Sequence, residues 1–248
     1  MARKGRAFDG LLNLNKPSGI TSARALDQVR RITNVRKSGH SGTLDPLASG
    51  VLVICMGRAT KLVERIMDQP KVYAATARLD VTSETFDADA ELSPVPVADR
   101  PDAQTLTEAV RGFEGPIEQT PPAFSAVKVN GQPAYKLARR NKPVNLKPRA
   151  VTIYWLNVSG YAWPEVDLEI CCGRGTYVRS LIRDLGERLG TGGCLTRLVR
   201  RAVGPYHLDA AISPDELTGL PLDAVAIAFE AACEVLNRPP IIPARPSV

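Results

Sequence analysis

The sequence predicts an α+β fold, with a mixed, largely antiparallel sheet flanked by helices and loops. Three observations carry this. Strand-like and helix-like stretches are interspersed without a regular β-α-β beat. Several strand candidates are joined by short turns, which only antiparallel neighbours permit. Period-two alternation at Val166, Leu168, Ile170 and Cys172 occurs in the same chain as helical spacing at Val178, Leu181, Ile182, Leu185 and Leu189.

Each element has a local reason. Leu11–Asn15 alternates like a strand and is broken by Lys16-Pro17-Ser18-Gly19. Leu26, Val29 and Ile32 recur at helical spacing over 21–33, with Thr21 or Ser22 as the N-cap. A small-residue loop, Ser38–Thr43, precedes a buried strand over 51–56 and a helix over 59–67. A strand follows over 72–79, and 83–101 is acidic, punctuated by proline and mostly loop. Thr105-x-x-Glu108 has the form of a capping box and starts a helix ending near Phe113. A strand over 124–129 runs into the Asn130-Gly131 turn, and 134–140 is a short basic helix. Strands over 151–158 and 166–172 lead into a helix over 176–189, then a basic strand over 195–203. Ser213-Pro214-Asp215-Glu216 is a second capping box. Residues 223–236 read as one apolar helix, and 238–248, with four prolines, as a tail.

Composition narrows the class. The 248 residues are 44% hydrophobic and 23% charged, which excludes a wholly disordered or collagen-like chain. No apolar run approaches the ~18 residues of a membrane span, so no membrane association is expected. The five cysteines are odd in number, two are adjacent, and no Cys-x-x-Cys occurs. That argues for a reducing compartment, the cytoplasm. Neither the cysteines nor the two distant histidines have the spacing of a metal site. The net charge of +6 is unevenly spread: +8 over 1–71, −6 over 72–135, +8 over 136–201 and −4 over 202–248. Two basic blocks can form one polyanion-binding face, or merely solvate helix surfaces.

The most informative segment is Gly39-His40-Ser41-Gly42-Thr43-Leu44-Asp45-Pro46-Leu47-Ala48-Ser49-Gly50-Val51-Leu52. Its glycines let a backbone approach a bulky ligand. Pro46 disfavours the helical region at Asp45, so this carboxylate is displayed from an extended backbone. A loop carboxylate on a rigid frame suits a nucleophile or general base. Taken alone, Asp-Pro also reads as a plain turn.

The segment resembles the catalytic motif of the TruB family of tRNA pseudouridine synthases at every fixed position. Other stretches resemble the family's motifs in the same order. They are Leu14–Ser22, Lys71-Val72-Tyr73, Gln119–Lys128 with Gly131 and Tyr135, Gly173–Arg179, and Leu198-Val199-Arg200-Arg201. The resemblance spans about residues 10–216. It implies a pseudouridine synthase catalytic core and isomerisation of uridine 55 in the TΨC loop of tRNA. Asp45 would be the nucleophile, attacking either the base or ribose C1′. Tyr73 would pack on the uracil and serve in proton transfer. Arg179 would pair with Asp45. Tyr177 and Leu198 would line the uridine pocket, and His40 would enter the space left by the flipped base. Lys16, Pro17, Gly39 and Gly42 would be structural positions of the motifs. Four of these residues also have a bland reading: Tyr73 and Leu198 as core, Arg179 as a surface pair, His40 as a turn cap.

The chemistry is consistent with those roles. A C–N glycosidic bond is broken and the uracil is rejoined through carbon, so no cofactor and no metal are expected. Taking the base out of the stack costs a few kcal/mol, which a basic surface and an inserted side chain can offset. The basic run from Lys136 to Arg149 would be an RNA-gripping arm. The expected organisation is a catalytic domain over 8–216, then a C-terminal helix and proline-rich tail over 217–248. That tail is too short for the PUA domain many relatives carry. The expected partner is the TΨC arm of tRNA, bound by a monomer. Two competing readings are a synthase acting on another RNA and a binding module that folds tRNA.

Overall fold

The computed structural model describes residues 5–129, 131–140 and 142–246. They divide into two compact units. One holds the described residues up to Tyr73 together with Val199–Ala244, and the other holds Ala74–Leu198 with Arg245 and Pro246.

The first unit opens with β1 (Gly10–Lys16) and α1 (Ser22–Thr33). Thr21 is the N-cap of α1: its backbone is extended and its hydroxyl accepts from the Arg24 amide. Then come β2 (Ser38–His40), β3 (Ser49–Met56), a 3₁₀ turn (Gly57–Leu62), α2 (Val63–Met67) and β4 (Lys71–Arg78), whose last five residues belong to the second unit. The loop expected over 38–43 is thus half strand: β2 pairs antiparallel with β3, Ser38 opposite Met56 and His40 opposite Ile54. β1 also lies antiparallel to β3, from Gly10↔Met56 to Lys16↔Gly50. Leu11, Val51, Val53, Cys55, Ile66 and Leu236 lie together in the core of this unit.

In the second unit a two-residue pair, β5 (Val81–Thr82) with β6 (Ser93–Pro94), interrupts the acidic loop. α3 (Ala103–Arg111) starts earlier than Thr105, because Asp102 is the N-cap and accepts from the Thr105 amide. An aspartate is a better cap than the threonine of the apparent capping box, and it lies just upstream. β7 (Gly115–Gln119) is a strand where the sequence predicts none. The strand expected over 124–129 shrinks to β8 (Lys128–Val129), paired with β9 (Gln132–Pro133). Of the turn between them, Gly131 has positive φ, while Asn130 lies outside the described residues. α4 (Ala134–Ala138) is followed by the long strands β10 (Arg149–Ala162) and β11 (Glu165–Cys172). β10 pairs antiparallel with both β11 and β7. The alternation in β11 is real: Val166, Leu168, Ile170 and Cys172 are buried, and Glu165 and Asp167 are exposed. α5 (Val178–Leu189) and the first five residues of β12 (Cys194–Val203) complete this unit. The final segment is ordered against it: Arg245 pairs with Glu114 and the Pro246 carbonyl accepts from Asn157.

Back in the first unit, β12 runs parallel to β3, Val199 opposite Ser49 and Arg200 opposite Gly50. β13 (Tyr206–His207) pairs with β12. α6 (Pro214–Thr218) has the predicted capping box from Ser213 and Glu216. The single helix expected over 223–236 is instead three elements: α7 (Leu222–Val225), β14 (Ile227–Ala228) and α8 (Phe229–Leu236). β14 breaks the helix because it pairs with β1, Ile227 opposite Leu11 and Ala228 opposite Gly10. A Cβ at Gly10 would stand 2.5 Å from the Ile227 carbonyl oxygen, so glycine is what lets the two backbones meet. Taken as a whole, the fold is α+β with a mostly antiparallel sheet.

Candidate active site

The Asp45 loop connects β2 to β3 and is tied on both sides of the carboxylate. The Ser22 hydroxyl, at the start of α1, accepts from the Leu44 amide at 2.8 Å and donates to the Leu44 carbonyl at 3.0 Å. After Asp45, the Gly19 amide donates to the Pro46 carbonyl and the Ser18 hydroxyl to the Leu47 carbonyl, both at 2.8 Å. The Ala48 amide closes back on the Asp45 carbonyl at 3.1 Å. Lys16 and Pro17 explain how those donors are held. The Lys16 side chain is fully buried, and its ammonium donates to the Pro17 and Ile20 carbonyls. It braces the turn from which Ser18, Gly19 and Ser22 reach the loop. Asp45 itself is half-buried.

His40, at the end of β2, is in the same unit. Its Nδ1 is buried and has no hydrogen-bond partner among the described residues. Burial, then the guanidinium groups of Arg200 and Arg30, hold its imidazole below the ordinary value. It is therefore neutral near pH 7. A side chain added at Gly39 would meet open space, while one at Gly42 would meet the Arg200 guanidinium. Tyr73 is buried, 8% exposed, on β4.

Tyr177, Arg179 and Leu198 lie in the second unit. Tyr177 is the residue before α5, and Gln119 pins its backbone from both sides. The Gln119 amide nitrogen donates to the Tyr177 carbonyl at 3.1 Å, and its oxygen accepts from the Tyr177 amide at 2.8 Å. Arg179 is 4% exposed on the first turn of α5. It donates to the carbonyls of Thr85 at 3.0 Å and Phe124 at 3.1 Å, and its Nε lies 3.4 Å from Asp87 Oδ2. Asp87 is itself buried, and its other oxygen accepts from the Thr85 hydroxyl at 2.5 Å and the Asp89 amide at 3.2 Å. Leu198 is buried on β12.

Two residues escaped the sequence reading of this site. Asp87 stands in an acidic stretch that reads as loop, with no spacing that sets it apart. Gln119 was visible within a motif but without a role. Around α4, Lys136, Arg139, Arg140, Lys142, Lys147 and Arg149 are all exposed, so the second basic block does present cations to solvent; Asn141 lies outside the described residues. No group of three or more metal-ligating side chains forms among the described residues. No helix among them is long and apolar enough to cross a membrane.

Residues 30–178 match the model of the TruB family pseudouridylate synthase N-terminal domain. The tRNA pseudouridine synthase B of Thermobifida fusca (strain YX) is 45% identical over 234 residues, covering 89% of this chain and 80% of that protein. That of Syntrophus aciditrophicus (strain SB) is 43% identical over 214 residues, covering 85% and 67%. Among solved structures, a chain of a Cbf5–Nop10–Gar1 complex superposes with a TM-score of 0.70 at 28% identity, covering 91% of this chain. A chain of an H/ACA RNP bound to a substrate RNA containing 2′-deoxyuridine gives 0.68 at 26%, also covering 91%. This chain spans 62% and 61% of those two, less than two thirds of their length. The anchored Asp45 loop and the Arg179 cage thus sit in a chain that belongs to the TruB family of pseudouridylate synthases.

Proposed function

We propose that this chain isomerises uridine 55 in the TΨC loop of tRNA to pseudouridine, using Asp45 as the nucleophile. The observation that carries the proposal is the Asp45 carboxylate itself, displayed from a loop whose backbone is hydrogen-bonded immediately before and after it. The names of the relatives, tRNA pseudouridine synthase B, support the substrate class.

The reaction is an isomerisation. The bond from C1′ to N1 breaks, a bond from C1′ to C5 forms, C5 loses its hydrogen and N1 gains one. Asp45 attacks the base or the ribose C1′ and departs when the carbon–carbon bond closes. Arg179 serves as its cationic partner, held ready by Thr85, Phe124 and Asp87. Tyr73 offers the uracil an aromatic face, and Tyr177 and Leu198 line its pocket. His40, kept neutral, enters the space the base vacates without bringing a second charge into the stack. The exposed cations from Lys136 to Arg149 grip RNA phosphates. The enzyme works in the cytoplasm as a monomer.

The test is to incubate wild type and Asp45→Asn with unmodified bulk tRNA and map pseudouridine. Wild type should modify position 55 and Asp45→Asn should not. Equal modification by both would remove Asp45 as the nucleophile. Pseudouridine elsewhere but not at 55 would move the activity to another RNA site.

A further inference from the structure

Arg200 is 2% exposed, yet among the described residues it meets no carboxylate. Its Nε donates to the Val51 carbonyl at 2.7 Å and its Nη2 to the Gly42 carbonyl at 3.0 Å. A buried charge without a counter-charge is an expensive way to bond two carbonyls. The choice of those two carbonyls is informative. Gly42 precedes Asp45 by three residues and Val51 follows it by six. One planar guanidinium therefore joins both ends of the loop that displays Asp45. The main chain of Arg200 adds to the hold on the second end: it pairs with Gly50, where an added Cβ would stand 2.3 Å from the Arg200 carbonyl oxygen.

We propose that Arg200 is a positioning residue for Asp45: its side chain staples the Gly42 and Val51 ends of the loop and so fixes where the carboxylate is displayed. The proposal rests on the reading of Asp45 as the nucleophile. Arginine suits the task because its donors diverge at fixed angles within one plane, whereas a lysine ammonium is a single point on a flexible stem. The charge also reaches His40, two residues before Gly42, where Arg200 acts together with Arg30 and with burial. His40 and His207 are the only histidines, so the His40 imidazole can be followed by NMR as a reporter on the loop.

The experiment uses the full chain as Arg200→Met and Arg200→Lys. It measures single-turnover pseudouridine formation on an unmodified tRNA transcript, tRNA affinity, and the His40 titration. Arg200→Met should bind tRNA like wild type but react about 10²-fold more slowly, the scale of a misplaced reacting group. Its His40 should titrate at higher pH, since one of the two nearby cations is gone. Arg200→Lys should keep the low His40 titration and still react slowly, because the charge is retained and the fork is lost. A wild-type single-turnover rate in either variant, an unchanged His40 titration in Arg200→Met, or a defect confined to tRNA affinity would overturn the proposal. Should Arg200→Met fail to fold, the rate of Arg200→Lys decides. Asp45→Asn separates the two readings. If it is active, the nucleophile assignment fails. If it is inactive while Arg200→Met is fast, only the role of Arg200 fails.

Discussion

Replacing Asp87 by asparagine removes a charge but almost no volume, so it isolates what the buried carboxylate does for Arg179. The pair lies at 3.4 Å with both side chains no more than 5% exposed. At an effective dielectric of 20, two unit charges at that separation attract by about 5 kcal/mol. Some of this is offset, because the variant no longer desolvates a carboxylate. Arg179 also keeps its bonds to the Thr85 and Phe124 carbonyls. Breaking a buried pair from one side costs about 3–5 kcal/mol, and those retained bonds place this case near 3. For a chain of this size that is a fall in Tm of roughly 6–12 °C. Asp80→Asn is the matched control. Its pair with Arg78 is shorter, 2.7 Å, but each side chain is about a third exposed, 35% and 29%. Screening by solvent should hold that cost to about 1 kcal/mol or less. The assay is thermal unfolding of both variants, with single-turnover activity on tRNA measured at a temperature where both are folded. Asp87→Asn should also react more slowly, since Arg179 loses the charged one of the three groups that hold its orientation. If Asp80→Asn costs as much as Asp87→Asn, burial is not what gives the Arg179 pair its weight, and the reasoning fails.

Three further outcomes are expected. Gly50→Ala would force a Cβ to 2.3 Å from the Arg200 carbonyl oxygen at a φ of +101°; the β3–β12 pairing must shift, and urea titration should show a loss of several kcal/mol, on the order of the largest single-site effects. Ser22→Ala removes both bonds that hold Leu44 and should cost about 1–2 kcal/mol in a melt, with a lower single-turnover rate at unchanged tRNA affinity. The His40 titration lies below its ordinary 6.5, so the unfolded chain binds that proton more readily than the folded one. The His40 contribution to stability is therefore complete above pH 6.5 and is lost as pH falls toward its folded value; urea melts at pH 5 and 7 should differ in that sense, and His40→Gln should remove that part of the difference.

What could be read from the sequence was what local forces decide. β1, α1, β11 and α6 were legible because alternation, helical spacing and capping act within a few residues. The helix expected over 223–236 failed where Ile227 and Ala228 joined β1, more than 200 residues earlier in the chain, a pairing that outweighs helical propensity. The start of α3 was misplaced because Asp102 and Thr105 both look like caps and only the backbone path chooses between them. At the site, the Asp45 loop was visible through its motif, whereas Asp87 and Arg200 act through partners 92 and at least 149 residues away. Such pairings leave no periodic trace.

The parallel pairing of β3 with β12 also has a consequence in time. Val199 docks against Ser49, so β3 acquires that neighbour only after about 150 more residues have been made. At cellular rates of about 5–20 residues per second, the wait is roughly 8–30 s. During that interval the Ser49-Gly50 end of β3, which leads into the apolar run Val51-Leu52-Val53-Ile54, has an unfilled ladder edge on a nascent chain and is open to pairing with a neighbour. The late return of the chain to its first unit thus makes synthesis itself the exposed period, and a ribosome slowed between residues 56 and 199 should raise aggregation without altering the stability of the finished protein.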